Sequence, residues 1–123
     1  MYTPTTADHF HHPRHAGPLA DADAVGRNGT AGHGPYMVLY LRVESERIAQ
    51  AGFQTYGCPA AIASGSWLSE WLIGKSLQAA TEIVPAVIDA GLGGLPLGKE
   101  HCPPLAIGAL RDALAQLKEK PSC

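Results

Sequence analysis

Two cysteines and two histidines in this chain are of the types that hold soft metals: Cys58, the adjacent pair His101-Cys102, and an isolated His33. Thiolate and imidazole are the ligands that zinc and the iron of iron–sulfur centres prefer. His33 and Cys58 are 25 positions apart, and Cys58 and His101 are 43 apart. No compact finger pattern has such spacings. A metal held by this set joins distant parts of a folded domain and does not staple a small loop.

Each cysteine is followed by proline: Pro59 after Cys58, and Pro103-Pro104 after Cys102. Proline is favoured at the first helical position, so both cysteines are predicted at or just before a helix N-terminus. Free backbone N–H groups and the positive end of the helix dipole favour an anion there, hence the thiolate, which is both ligand and nucleophile. A small buried hydrophobe is the competing reading for either cysteine alone. Two Cys-Pro helix starts, one preceded by histidine, weigh against it. His33 lies in Ala31-Gly32-His33-Gly34-Pro35, whose glycines permit an unusual backbone and a close approach; taken alone it reads as an exposed turn histidine. His9, His11, His12 and His15 form a second cluster. His-rich tracts can bind metal, but an exposed amphipathic helix accounts for these four better. Trp67 and Trp71, four apart, read as helix packing. Cys123 reads as part of a frayed tail.

Enzyme templates fit poorly. The chain has no Gly-x-Ser-x-Gly, no phosphate loop and no His-Glu-x-x-His. A nucleophile pair between Cys102 and a histidine is conceivable, but His101 is its immediate neighbour and such neighbours usually point elsewhere. The reading is therefore not an enzyme.

The elements that must position these residues follow from period and punctuation. Thr5 to His12 is predicted as a short helix, capped by Thr5 or Thr6 and stopped by Pro13. Gly17 to Gly34 is rich in Gly, Ala and Asp and carries the turn signal Asn28-Gly29. Met37 to Val43 and Ile48 to Tyr56 read as two strands of an antiparallel hairpin about a polar turn, Glu44 to Arg47. Helices are expected at Pro59 to Ile73, stopped by Gly74, from a Ser76 cap to about Val84, at Pro85 to Gly91, and from near Pro103 to about Glu119. Leu110, Leu114 and Leu117 give the last helix an apolar stripe. Helix, strands, then helices fits an α+β domain.

The 123 residues suit one domain over 1–123, with 1–4 and 121–123 expected to fray. Hydrophobic residues are 46% and charged residues 16%, with net charge −2, an ordinary globular balance. Lys and Arg form no basic stripe, so nucleic acid is not an expected partner. No apolar run approaches the roughly 20 residues that span a bilayer, so no membrane partner is expected. The polar, His-rich start lacks the apolar region of a secretory signal. Three cysteines without such a signal predict a reducing, cytoplasmic setting.

Four blocks in order resemble the iron–sulfur cluster scaffold family of the IscU and NifU N-terminal type. They are Asp8-His9-Phe10-His11-His12-Pro13-Arg14-His15-Ala16-Gly17, Phe53-Gln54-Thr55-Tyr56-Gly57-Cys58-Pro59-Ala60-Ala61-Ile62-Ala63-Ser64, Glu70-Trp71-Leu72-Ile73-Gly74-Lys75-Ser76, and Leu95-Pro96-Leu97-Gly98-Lys99-Glu100-His101-Cys102. The resemblance runs from about Tyr2 to Lys120. It implies an α+β domain with a three-stranded antiparallel sheet packed by helices on one face, and a metal site at one exposed end. It implies three cysteines, helped by His and Asp, that take sulfur from a cysteine desulfurase, build a [2Fe–2S] cluster with iron and pass it to recipient apoproteins. By position Cys58 and Cys102 match the second and third cysteines and His101 the histidine, and the resemblance makes Cys102 the sulfur acceptor. Leu95 to Lys99 corresponds to the segment that an Hsp70-type chaperone recognises in the family.

The first ligand position departs from the family. Gly32-His33-Gly34-Pro35 stands where the family has Ala-Cys-Gly-Asp, so His33 replaces the cysteine and Pro35 the aspartate. Leu97-Gly98 also alters the chaperone motif. The resulting set of His33, Cys58, His101 and Cys102 suits tetrahedral zinc. It also suits a [2Fe–2S] centre of mixed ligation, where histidine in place of cysteine raises the reduction potential. The first expectation is a scaffold or carrier with a transient [2Fe–2S] cluster, and zinc when isolated. The alternatives are a zinc-binding interaction or regulatory protein of a desulfurase that no longer assembles clusters, and a persulfide acceptor at Cys102 without a cluster.

Overall fold

The computed structural model describes residues 2–30, 32 and 34–119, with the side chains of 118 and 119 left out. His33 and Cys123 therefore lie outside the described residues. The elements in chain order are α1 (Pro4–His11), β1 (Ala24–Asn28), β2 (Tyr36–Glu44), β3 (Arg47–Tyr56), α2 (Pro59–Leu72), α3 (Leu77–Glu82), α4 (Pro85–Gly91) and α5 (Cys102–Glu119).

The alternation of β2 builds the sheet. Met37, Leu39 and Leu41 are fully buried on one face, and they pair across β3 with Thr55, Phe53 and Ala51. The sheet is antiparallel, in the order β1-β2-β3, and its apolar face packs on α2 and α5. The hairpin turn has positive φ at Ser45 (52°) and Glu46 (63°), as a two-residue turn joining twisted strands requires.

β1 is a strand that periodicity alone did not reveal within the Gly/Ala/Asp-rich stretch. It is fixed by α5. The Arg27 N–H donates to Asp112 Oδ2 (2.8 Å), and Gln116 accepts from the Val25 N–H and donates to the Val25 carbonyl. These bonds satisfy an edge that would otherwise be open for pairing. A Cβ at Gly26 would lie 2.0 Å from the Ala109 carbonyl oxygen, so helix and strand touch backbone to backbone. At the other edge, Phe53 donates to the His15 carbonyl and accepts from the Gly17 N–H.

Helix ends follow the punctuation with one correction, at α1. Ser76 caps α3 by accepting from the Ala79 N–H, and Gly74 takes φ +88° after α2. α1, however, is capped by Thr3 and not by Thr5 or Thr6: Thr3 Oγ1 accepts from the Thr6 N–H at 3.1 Å. Thr3 also bonds the Leu92 carbonyl, and Thr6 Oγ1 donates to the same oxygen at 3.0 Å. These bonds tie the start of α1 to the end of α4. Trp67 and Trp71 stack at 6.4 Å and pack on the core as expected. Among the described residues no helix is long and apolar enough to cross a membrane.

Candidate metal centre

Cys58 is the N-cap of α2, in extended backbone (φ −79°, ψ 173°), with Pro59 at the helix start. Cys102 is the first residue of α5, and its N–H donates to the Lys99 carbonyl. The two helices bring the sulfurs to 3.7 Å from each other. His101 Nε2 lies 3.5 Å from the Cys102 sulfur, on an exposed side chain. A tetrahedral metal at about 2.3 Å from sulfur and about 2.0 Å from nitrogen separates two sulfurs by about 3.8 Å, and sulfur from nitrogen by about 3.5 Å. Both observed lengths match edges of such a site. Among the described residues, though, no group of three or more His, Cys, Asp or Glu side chains is arranged to hold a metal ion. The structure thus joins Cys58 to Cys102 and Cys102 to His101 pairwise.

The two thiols differ, which corrects the expectation that both helix starts favour the thiolate. At Cys58 partial burial pushes the thiol up. The Ala61 N–H, the Cys102 thiol, the Ala60 N–H and the Lys99 charge outweigh it, and the net shift is below the ordinary value. The Cys58 sulfur makes no cap hydrogen bond, so the helix amides favour its anion through their field. Cys102 is fully buried, in a small apolar cluster with Ala60 and Ala61 that Leu95 and Leu105 pack against. Burial first, and then the neighbouring Cys58, push its thiol up to about 12. A helix N-terminus stabilises an anion only where solvent or donors reach it; apolar lining wins at Cys102.

Pro35 borders this site. A Cβ at Gly57 would lie 3.8 Å from the Pro35 Cβ, so Pro35 sits beside the residue preceding Cys58. Leu95 is half-buried and Leu97 is 95% exposed.

The histidine cluster near the N-terminus divides. His11, His12 and His15 are exposed, but His9 is 6% exposed, against the expectation of an exposed face. His9 Nδ1 lies 2.8 Å from Ser66 Oγ, which also accepts from the Arg14 N–H at 2.8 Å. Arg14 in turn pairs with Asp8 at 2.6 Å. The buried bridge fastens α1 and the following turn to α2. Its signal in the sequence is the Asp8-to-Gly17 block itself, whose polar residues serve packing.

Residues 1–123 match the NifU-like N-terminal domain family. The chain belongs to that family. Over 120 residues it is 42% identical to the iron-sulfur cluster assembly scaffold protein IscU 1 of Archaeoglobus fulgidus, covering 98% of this chain and 78% of that protein. It is 39% identical to the iron-sulfur cluster assembly scaffold protein IscU of Haemophilus influenzae, with 97% of each covered. Its fold is that of a NifU-like protein (N-terminal) from Brucella abortus, with TM-score 0.76 at 18% identity, over 97% of this chain and 95% of that one. The family therefore accounts for the three-stranded sheet with helices on one face. Both of these IscU relatives are named as scaffold proteins for iron-sulfur cluster assembly.

Proposed function

We propose that this protein is an iron–sulfur cluster assembly scaffold: it holds a [2Fe–2S] cluster transiently as cargo, takes up zinc when isolated, and passes the cluster to apoproteins. The observation that carries the reading is the 3.7 Å separation of the Cys58 and Cys102 sulfurs, delivered by two different helices. That is the edge of a tetrahedral thiolate pair. His101 is exposed, so its ring is free to turn toward the same centre, and His33 is the proposed fourth ligand. Of the two thiols that would hold the cargo, Cys58 is half-buried and Cys102 fully buried. Lys99 lies near enough to favour both thiolates as they lose their protons.

A cysteine desulfurase supplies the sulfur in this reading, and the family likeness of Leu95 to Lys99 supports an Hsp70-type chaperone as a further partner. The reducing setting that thiolate chemistry needs is the cytoplasm. Anaerobic reconstitution with ferrous iron and sulfide tests the proposal. Visible absorption and Mössbauer spectra should show a [2Fe–2S] centre that Cys58→Ala abolishes. A protein that binds zinc tightly but never acquires those spectra is instead a zinc-binding partner of the desulfurase.

A further inference from the structure

We infer that Cys58 and Cys102 form a reversible redox couple, in which oxidation to an intramolecular disulfide withdraws both sulfur ligands at once. Three observations carry this. The sulfurs are already at 3.7 Å. A disulfide needs about 2.05 Å between sulfurs, and Cys58 can close the gap without breaking a cap, because its sulfur makes none. The pair is also asymmetric in access: Cys58 is half-buried, whereas Cys102 is sealed under Ala60, Ala61, Leu95 and Leu105.

The access fixes the order of events. The oxidant is a low-molecular-weight disulfide such as oxidised glutathione. The Cys58 thiol loses its proton and attacks one of its sulfurs, forming a Cys58–glutathione mixed disulfide and releasing one glutathione thiolate, which takes up that proton. Cys102, its sulfur 3.7 Å from that of Cys58, then loses its proton and attacks the Cys58 sulfur. The second glutathione leaves and takes up the proton. Two protein thiols are oxidised, one glutathione disulfide is reduced to two thiols, and the balance closes. Cys58 is thus the attacking thiol and Cys102 the resolving one. That the disulfide switches off cluster holding rests on the function proposed above; the thiol chemistry does not.

The test uses the metal-free full chain carrying Cys123→Ser, treated with oxidised glutathione and followed by intact mass and by zinc titration. The expected product has lost two hydrogens and both free thiols, retains no glutathione, and regains both thiols and zinc binding with a dithiol reductant. Cys102→Ser should stop at one glutathione on Cys58. Cys58→Ser, which places a favoured N-cap residue at the start of α2 and so keeps the fold, should stay unmodified until unfolded. A persistent glutathione adduct on the protein with both cysteines, or modification of Cys102 in folded Cys58→Ser, overturns the couple. Undiminished zinc binding by the oxidised form overturns the switch. A reduced protein that binds neither zinc nor cluster, yet still closes the disulfide, refutes the scaffold function and leaves the couple standing.

Discussion

At the scale of single residues, the centre works by contrast between two thiols of the same type. Cys58 stands in the field of the α2 amides with solvent in reach, and Cys102 starts a helix inside an apolar cluster. Iodoacetamide should therefore alkylate Cys58 in the native protein and leave Cys102 untouched, as peptide mapping can show. Because the Cys58 thiol titrates below its ordinary 9.0, its alkylation rate should reach half its maximum below that pH. Equal labelling of the two, or a rate still climbing steeply above pH 9.0, contradicts the contrast. The position of Cys58 was legible in Gly57-Cys58-Pro59. The burial of Cys102 was not, because its lining comes from separate segments of the chain: Tyr2, Ala60 and Ala61, Leu95, and Leu105. His9 was misread for the same reason. Its neighbours His11 and His12 are exposed, and only Ser66, 57 residues away, turns it inward.

At the scale of elements, the two helices that carry the cysteines are held by polar bridges and close backbone contacts. Ser66→Ala leaves the Arg14 N–H and His9 Nδ1 without their shared partner and should cost about 1–3 kcal/mol in urea unfolding. Gly26→Ala drives a methyl into the Ala109 carbonyl and should cost about 1–3 kcal/mol or more through displacement of α5 from β1. A pH effect follows from His9, whose pKa is lowered chiefly by burial and then by the Arg14 charge, against Glu70 and Asp8. Above its ordinary 6.5 the ring is neutral folded and unfolded, and the stability is complete. As pH falls through that value the unfolded chain binds the proton first, so stability declines until the folded pKa is passed. The urea midpoint should therefore drop on acidification through this range, and His9→Gln should flatten the drop.

The period of β2, β3 and α5 made those elements readable in the sequence, as did the Ser76 cap and the Pro59 start. β1 was not readable by pattern. Its five residues, Ala24-Val25-Gly26-Arg27-Asn28, hold one β-branched side chain and a central glycine, a combination that ordinarily weakens a strand. Gly26 is there because the α5 backbone occupies the space of its Cβ. That reason is tertiary, and only the family likeness anticipated a third strand.

At the scale of the whole molecule, a sheet closed on one face by α2 and α5 goes with two helix starts whose sulfurs meet at 3.7 Å. By the sequence resemblance, His33 and Pro35 stand where the family has Cys and Asp. Restoring both, as His33→Cys with Pro35→Asp, should raise the yield of reconstituted cluster. An unchanged yield means that these two positions do not limit assembly. The most direct test of the scaffold function is transfer. The anaerobically reconstituted protein is mixed with an apo-ferredoxin, and the acceptor's visible circular dichroism is followed in time. The account predicts that the acceptor gains its cluster spectrum as this protein loses its own, and that Cys58→Ala or Cys102→Ala prevents both. A cluster that never forms on the reduced protein, or that forms and never leaves, would contradict it.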